Sequence, residues 1–164
     1  MISLIDQILF LQNIPIFQNL TVDELGQIAA ITKTDNFEED EILFKEGDLG
    51  DQAYIVITGE VKIYKRIRKD NEITIARLRN GECFGEMALF DGEPRSASAR
   101  TTAPSVLSIY SREDLMTVID QYPTIALGII NEISKRLRNV QMNLDDYKKT
   151  IDDFRILYKK MENI

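Results

Sequence analysis

The residues with the clearest capacity for chemistry lie at positions 84–99, in the sequence FGEMALFDGEPRSASA. Glu86 offers a carboxylate that can accept two hydrogen bonds, for example from the hydroxyls of a sugar. Arg95 offers a planar fork of donors that matches the oxygens of a phosphate. A sugar acceptor and a phosphate donor on one short stretch predict a site for a nucleoside monophosphate or a cyclic nucleotide.

The residues around this pair suit close contact with a small anion. Gly85 has no Cβ and lets backbone approach a ligand. A helical turn at 87–90 would point its first N–H groups toward the same place. Ser96 adds a hydroxyl, and Ala97 leaves room for backbone contacts. The sequence has no P-loop and no Gly-x-Gly-x-x-Gly motif after a strand, so a triphosphate is not favoured.

The composition excludes several classes of function. The chain has 164 residues, a net charge of -7, one cysteine and no histidine. Without histidine, Ser-His-Asp, Cys-His and zinc-hydrolase chemistries are excluded, and we expect neither an enzyme nor a metal site. The negative charge disfavours nucleic acid and anionic membranes as partners. The start of the chain does not resemble a secretory signal, no segment is long enough to span a bilayer, and we expect a cytoplasmic protein.

Three regions must position the site. Residues 1–35 are helical in pattern, with a capping box from Thr21 to Glu24. Residues 36–110 hold six of the eight glycines, separated by short β-branched runs at 53–58, 61–64, 73–75 and 106–110. This spacing predicts a small β-barrel or jelly roll. Residues 111–140 are again helical and begin at a helix cap, Ser111.

The end of the chain has apolar residues at alternating spacings of three and four. They are Ile130, Ile133, Leu137, Val140, Leu144, Tyr147, Ile151, Phe154, Tyr158 and Met161. Such a seam is typical of a coiled coil and predicts a homodimer through residues 130–161. Two alternatives stay open: the helix could pack along its own barrel, or Asn143 could cap a new helix and break the rod.

The residues of the site closely resemble the phosphate-binding cassette of the cyclic nucleotide-binding domain family. The similarity rests on FGEMAL at 84–89 and PRSA at 94–97. It extends through ILFKEGD at 42–48 and QAYIVITGEVKI at 52–63, and covers roughly residues 14–140. The resemblance implies a mainly β fold, a jelly roll with N-terminal helices and a long C-terminal helix, which encloses cAMP or cGMP. It also implies a boundary between a nucleotide-binding domain at 1–140 and a helical extension at 141–164.

The resemblance also implies roles for single residues. Arg95 would pair with the cyclic phosphate and Glu86 would accept the ribose 2′-hydroxyl. Backbone or hydroxyl contacts to sugar and phosphate would come from Gly85, Met87, Ala88, Ser96 and Ala97. The base would meet apolar side chains and the edge of the long helix, for which the candidates are Ile63, Ile75, Leu78, Asn139 and Gln141.

These patterns predict a cyclic nucleotide sensor that transmits ligand occupancy through its C-terminal helix to a dimer partner or an effector. In this family a threonine after the arginine often accompanies cGMP preference. Ser96 stands there, so cAMP is the expected ligand and cGMP the alternative. Two other readings remain: a dimeric assembly module with a vestigial pocket, and the sensory part of a longer regulator or channel.

Overall fold

A computed structural model describes residues 3–68 and 71–161 of the chain. The chain begins with helix α1 (Leu4–Gln12), a 3-10 turn (Pro15–Phe17) and helix α2 (Val22–Ala30). The predicted capping box starts α2. The Glu24 carboxylate accepts from the Thr21 backbone N–H at 2.8 Å, and the Glu24 N–H donates to the Thr21 hydroxyl at 3.3 Å. Two of the helix's otherwise unpaired N–H groups are satisfied in this way.

In the part of the chain that the structure describes, eight strands follow, and they form two four-stranded antiparallel sheets. The strands are β1 (Lys33–Phe37), β2 (Ile42–Phe44), β3 (Gln52–Thr58), β4 (Val61–Arg68), β5 (Asn71–Leu78), β6 (Cys83–Phe84), β7 (Ser98–Thr101) and β8 (Ser105–Ser111). One sheet has the order β1-β8-β3-β6 and the other the order β2-β7-β4-β5. All four strands expected from the β-branched runs are present, and the predicted jelly-roll fold with flanking helices is confirmed.

The sandwich and the helices bury separate apolar clusters. Between the sheets lie Tyr54, Val56, Val61, Phe84, Ala99 and Leu107. The helices cover the outside of β3 and β8, where Ala53, Ile55 and Tyr110 pack against them. Because alternate residues of β3 point to opposite faces, one strand contributes to both clusters. A short helix, α3 (Glu86–Asp91), lies between β6 and β7 and buries Leu89 in the helical cluster.

The C-terminal part consists of α4 (Arg112–Gln121) and α5 (Thr124–Met161). Ser111 caps α4 as predicted, since its hydroxyl accepts from the Asp114 N–H at 3.1 Å. Near its start α5 buries Ile125 and Ile129, and it packs on the 3-10 turn.

Helix α5 runs without a break past Asn143, so a new helix capped there, one of the two alternatives, is wrong. The described seam side chains do not pack along the barrel either. They are 43% to 66% exposed: Ile130, Ile133, Leu137, Leu144 and Ile151. Side chains of the other seam residues lie outside the described ones, and the coiled coil stays a prediction. Among the described residues, no helix has the length and apolarity to cross a membrane.

Candidate functional site

The predicted loop forms one wall of a cavity of about 280 Å³. Its lining combines α3, the segment that leads into β7, and side chains of β2, β4 and β6. The lining residues are Phe44, Ile63, Cys83, Phe84, Gly85, Glu86, Met87, Ala88, Asp91, Glu93, Pro94, Arg95, Ser96 and Ala97. Both residues singled out from the sequence, Glu86 and Arg95, therefore line one cavity.

Two glycines set the position of α3. Gly85 precedes the helix with φ 77° and Gly92 follows it with φ 72°, a left-handed conformation that other residues rarely adopt. At Gly85 space is restricted as well. A Cβ there would lie 2.6 Å from Nη1 of Arg95 and 3.2 Å from the Gln52 carbonyl oxygen. Backbone and guanidinium can approach this closely only with glycine.

Arg95 is buried, with 5% of its surface exposed, and its side chain is fixed by neutral groups. Nη1 donates to the Gly85 carbonyl at 2.8 Å, and Nη2 donates to the Gln52 carbonyl at 2.6 Å. The guanidinium carbon lies 4.1 Å from the ring centroid of Phe44, a cation–π contact. Nε is buried and has no hydrogen-bond partner among the described residues.

The charge of Arg95 is not neutralised by an ion pair with any described residue. Burial lowers the pKa of Arg95, and nearby acidic groups, led by Tyr54 and Asp51, act in the opposite direction. A guanidinium remains charged under such conditions. A buried cation without a paired anion is costly, and the cost falls when an anionic ligand enters. The site is therefore suited to a phosphate.

Three aromatic rings, those of Tyr54, Phe84 and Phe44, form a cluster next to Arg95. Tyr54 stacks on Phe84 with a centroid distance of 5.1 Å, and Phe44 lies 5.9 Å from Tyr54. Tyr54 also donates its hydroxyl to the Gln52 side chain at 2.9 Å. Burial raises the pKa of Tyr54, so the phenol stays neutral. Through Phe44 this cluster contacts the guanidinium of Arg95.

Sequence reasoning missed two residues that shape the site, Phe44 and Gly50. A Cβ at Gly50 would lie 2.5 Å from the Ala88 Cβ and 2.7 Å from Nε of Arg95. The segment that holds Gly50 therefore packs directly on α3 and on the arginine. Glycine spacing in the sequence indicates turns, but this contact depends on residues that lie far away along the chain.

Replacing Gly50 with alanine tests this contact. We expect Gly50→Ala to lower the free energy of unfolding by about 1–3 kcal/mol, because the methyl group overpacks the site. Gly26→Ala is the matched control. Gly26 lies inside α2, and a Cβ there would meet only the side chain of Ile8, at 3.9 Å. Alanine should therefore raise the free energy of unfolding by about 0.5–1 kcal/mol. Urea unfolding measures both, and a Gly50→Ala protein as stable as the wild type would contradict the contact.

The structure places the predicted site residues as follows. All seven residues assigned to sugar and phosphate line the cavity, and so does Ile63. Four base candidates do not line it. Ile75 is 55% exposed, since the pairing of Ile63 with Ala76 turns Ile75 to the other face of β5. Leu78 packs in the sandwich core, and Asn139 is exposed on α5, as is Gln141. Their contact with a base stays a prediction.

The fold and the site define a class, the jelly-roll domains with a buried arginine in the wall of a cavity. The particular family follows from comparison. A family model described as "Cyclic nucleotide-binding domain" matches residues 34–122, and the chain belongs to this family.

Several known proteins are similar to the chain. One is the "Cyclic AMP receptor protein" of Thermus thermophilus, 32% identical over 80% of this chain and 61% of the relative. Another is a "CRP-like cAMP-activated global transcriptional regulator" of Mycobacterium tuberculosis, 34% identical over 80% of this chain and 58% of that protein. The chain thus spans about three fifths of the length of these relatives.

Solved structures agree with this assignment. The N-terminal domain of a transcriptional regulator from Streptomyces coelicolor has a TM-score of 0.74 and 27% identity, over 82% of this chain and 94% of that one. The Thermus thermophilus catabolite activator protein has a TM-score of 0.70 and 32% identity, over 80% and 62%.

Proposed function

We propose that this chain is a sensor whose ligand is cAMP and whose output is transmitted by α5. The observation that carries the proposal is Arg95, a buried guanidinium with an unpartnered Nε at the wall of a cavity. A monoanionic cyclic phosphate matches the single positive charge there. Glu86, on the same wall, is the acceptor for the ribose hydroxyl.

Ligand choice is proposed from two observations. Ser96 lies in the cavity wall, and the names of several relatives contain cAMP. A cGMP-dependent protein kinase of Caenorhabditis briggsae is also similar, at 29% identity, so cGMP is the competing ligand. Calorimetric titration with cAMP, cGMP and 5′-AMP decides between them. We expect one cAMP bound per chain, weaker binding of cGMP and weakest binding of 5′-AMP. A folded protein that binds no cyclic nucleotide would overturn the proposal.

We further propose that the output passes through a homodimer formed along residues 130–161. The exposed apolar side chains of α5 support it, because such a row is stabilised when a second helix covers it. Sedimentation with and without cAMP tests the coupling. We expect a dimer whose association constant changes with ligand. A dimer indifferent to cAMP would instead favour an assembly module with a vestigial pocket.

Binding, rather than catalysis, is the activity that we propose, because the sequence has no histidine and no nucleophile–base pair. We also propose no role for nucleic acid or membrane as direct partners. The relatives named as transcriptional regulators favour a second candidate, in which this domain is the sensory part of a longer regulator. A gel-shift titration of this chain on duplex DNA, with and without cAMP, tests the proposal that nucleic acid is not a direct partner, and binding would overturn it.

A further inference from the structure

A second cavity, of about 130 Å³, lies between α1 and the outer face of the sheet that contains β8. Its walls come from α1, β1, β3 and β8, and from the residue that precedes β1. They include Phe10, Leu11, Thr34, Ile57, Ser108 and Tyr110. The described residues that line it are all different from those that line the cavity beside Arg95. It is therefore a separate site.

The surface of this second cavity is almost wholly apolar. A buried water needs about two to four polar partners, so such a surface is poorly suited to water. Apolar cavities of about 150 Å³ bind benzene in other proteins, and the volume here is close to that value. The cavity thus has the size and the character that one six-membered ring requires.

Tyr110 brings one polar group to this cavity. The residue is 3% exposed, and its hydroxyl is buried without a hydrogen-bond partner among the described residues. The hydroxyls of Thr32 and Ser108 are close by, but the Thr32 hydroxyl donates to the Ile28 carbonyl at 2.9 Å. Burial raises the pKa of Tyr110 to about 12, and these two neighbours act in the opposite direction. The phenol therefore stays neutral and keeps a proton to donate.

The ring of Tyr110 is held by its packing. It lies against Phe17 with the ring centroids 6.0 Å apart, and the backbone of Tyr110 is paired with Ala53 of β3. A buried hydroxyl without a partner is unfavourable, and such groups in folded proteins usually have one. Because the ring belongs to a packed cluster, we expect the hydroxyl to gain its partner from a ligand and not by moving.

We propose that this cavity binds a small aromatic compound, one six-membered ring with a single polar substituent, of which phenol is the simplest example. The ring lies against Phe10, Leu11 and Ile57, and the substituent bonds with the Tyr110 hydroxyl. A nucleotide is larger and charged, so the apolar cavity does not suit it. The proposal is independent of the nucleotide site, since the two cavities share no described lining residue.

The test is an NMR titration of the whole chain with phenol, and with benzene as the matched probe that lacks a polar group. In the wild type we expect phenol to bind with a roughly millimolar dissociation constant and to show NOEs to Phe10 and Ile57. Tyr110→Phe keeps the ring and removes the hydroxyl. It should lower the affinity for phenol about three- to tenfold without lowering that for benzene. Tyr122→Phe, at an exposed tyrosine outside the cavity, is the matched control and should change neither affinity.

A second variant fills the cavity. Ser108→Leu adds carbon atoms at the buried wall and should abolish binding of both probes. If Ser108→Leu does not fold, Thr34→Leu carries this part of the test, because Thr34 is exposed and is paired with Ser108 in the sheet. Phenol without NOEs to Phe10 or Ile57, or a cavity that holds only water, would overturn the proposal. So would an unchanged affinity for phenol in Tyr110→Phe or in the folded filling variant.

Discussion

Arg95→Ala is expected to lower the affinity for cAMP roughly 100-fold or more, equivalent to about 3 kcal/mol or more, while the barrel remains folded. The guanidinium provides the positive charge of the cavity, and its Nε is buried without a partner. An alanine leaves the bound phosphate without a charge-assisted hydrogen bond. It also removes a buried cation from the ligand-free protein, so the loss of stability should stay small compared with the loss of binding.

The controls separate charge from geometry. Arg95→Lys keeps a positive charge but lacks the planar fork that bonds two carbonyls and lies over the ring of Phe44. We expect it to bind cAMP roughly tenfold or more weakly than the wild type. Arg77→Ala removes an exposed arginine and should bind normally. Calorimetry measures the affinities, and an Arg95→Ala protein within a few-fold of the wild type would contradict the assignment of the site.

Local signals in the sequence account for much of this fold. Helix caps at Thr21 and Ser111 depend on residues three positions apart, and both were predictable from residue types alone. Strand spacing predicted the sandwich for a similar reason, since glycine turns and β-branched runs report on neighbours in the chain. The chemical character of Arg95 and Glu86 followed from their types and their separation.

The remaining parts of the site depend on contacts between distant segments. Phe44 lies under Arg95, and Arg112 reaches back to Leu89. No periodicity relates such positions, because their proximity is created by the sheet order. The expectation for Ile75 shows the same limit. A register irregularity after Ile63 sets which side chains of β5 face inward, and an irregularity of one residue exchanges the two faces.

Glu24 was recognised from the sequence only as part of a helix cap, but the structure gives it a second contact. Its Oε2 accepts from the Thr21 hydroxyl at 2.8 Å as well as from the Thr21 N–H. Its Oε1 accepts from the hydroxyl of Thr124, the first residue of α5, one hundred positions away along the chain. Glu24 is 9% exposed. Glu24 thus joins the start of α2 to the start of the helix that we propose as the output element.

Glu24→Ala should therefore lower the free energy of unfolding at pH 7 by about 2–3 kcal/mol, the sum of a lost cap and an unpaired buried hydroxyl. Asp6→Ala is the matched control. Asp6 is also the acidic residue in the first turn of a capped helix, and its carboxylate accepts from the hydroxyl of the exposed Ser3 at 2.6 Å. We expect a cost of about 0.5–1 kcal/mol there. A Glu24→Ala protein no less stable than Asp6→Ala would contradict the link to α5.

The effect of Glu24 should depend on pH in a defined direction. The hydrogen bond from Thr124, followed by those from Thr21, lowers the pKa of Glu24 in the folded protein below the ordinary value of 4.5. A carboxylate whose pKa is lowered by folding stabilises the protein above its unfolded pKa, and this contribution is lost as the pH falls through the folded pKa. The difference in unfolding free energy between wild type and Glu24→Ala should be constant near pH 7 and shrink below about pH 4.5.

In a double-mutant cycle with Thr124→Val, a coupling energy of about 1–2 kcal/mol would assign the effect to the contact between α2 and α5, and a coupling near zero would assign it to the local cap.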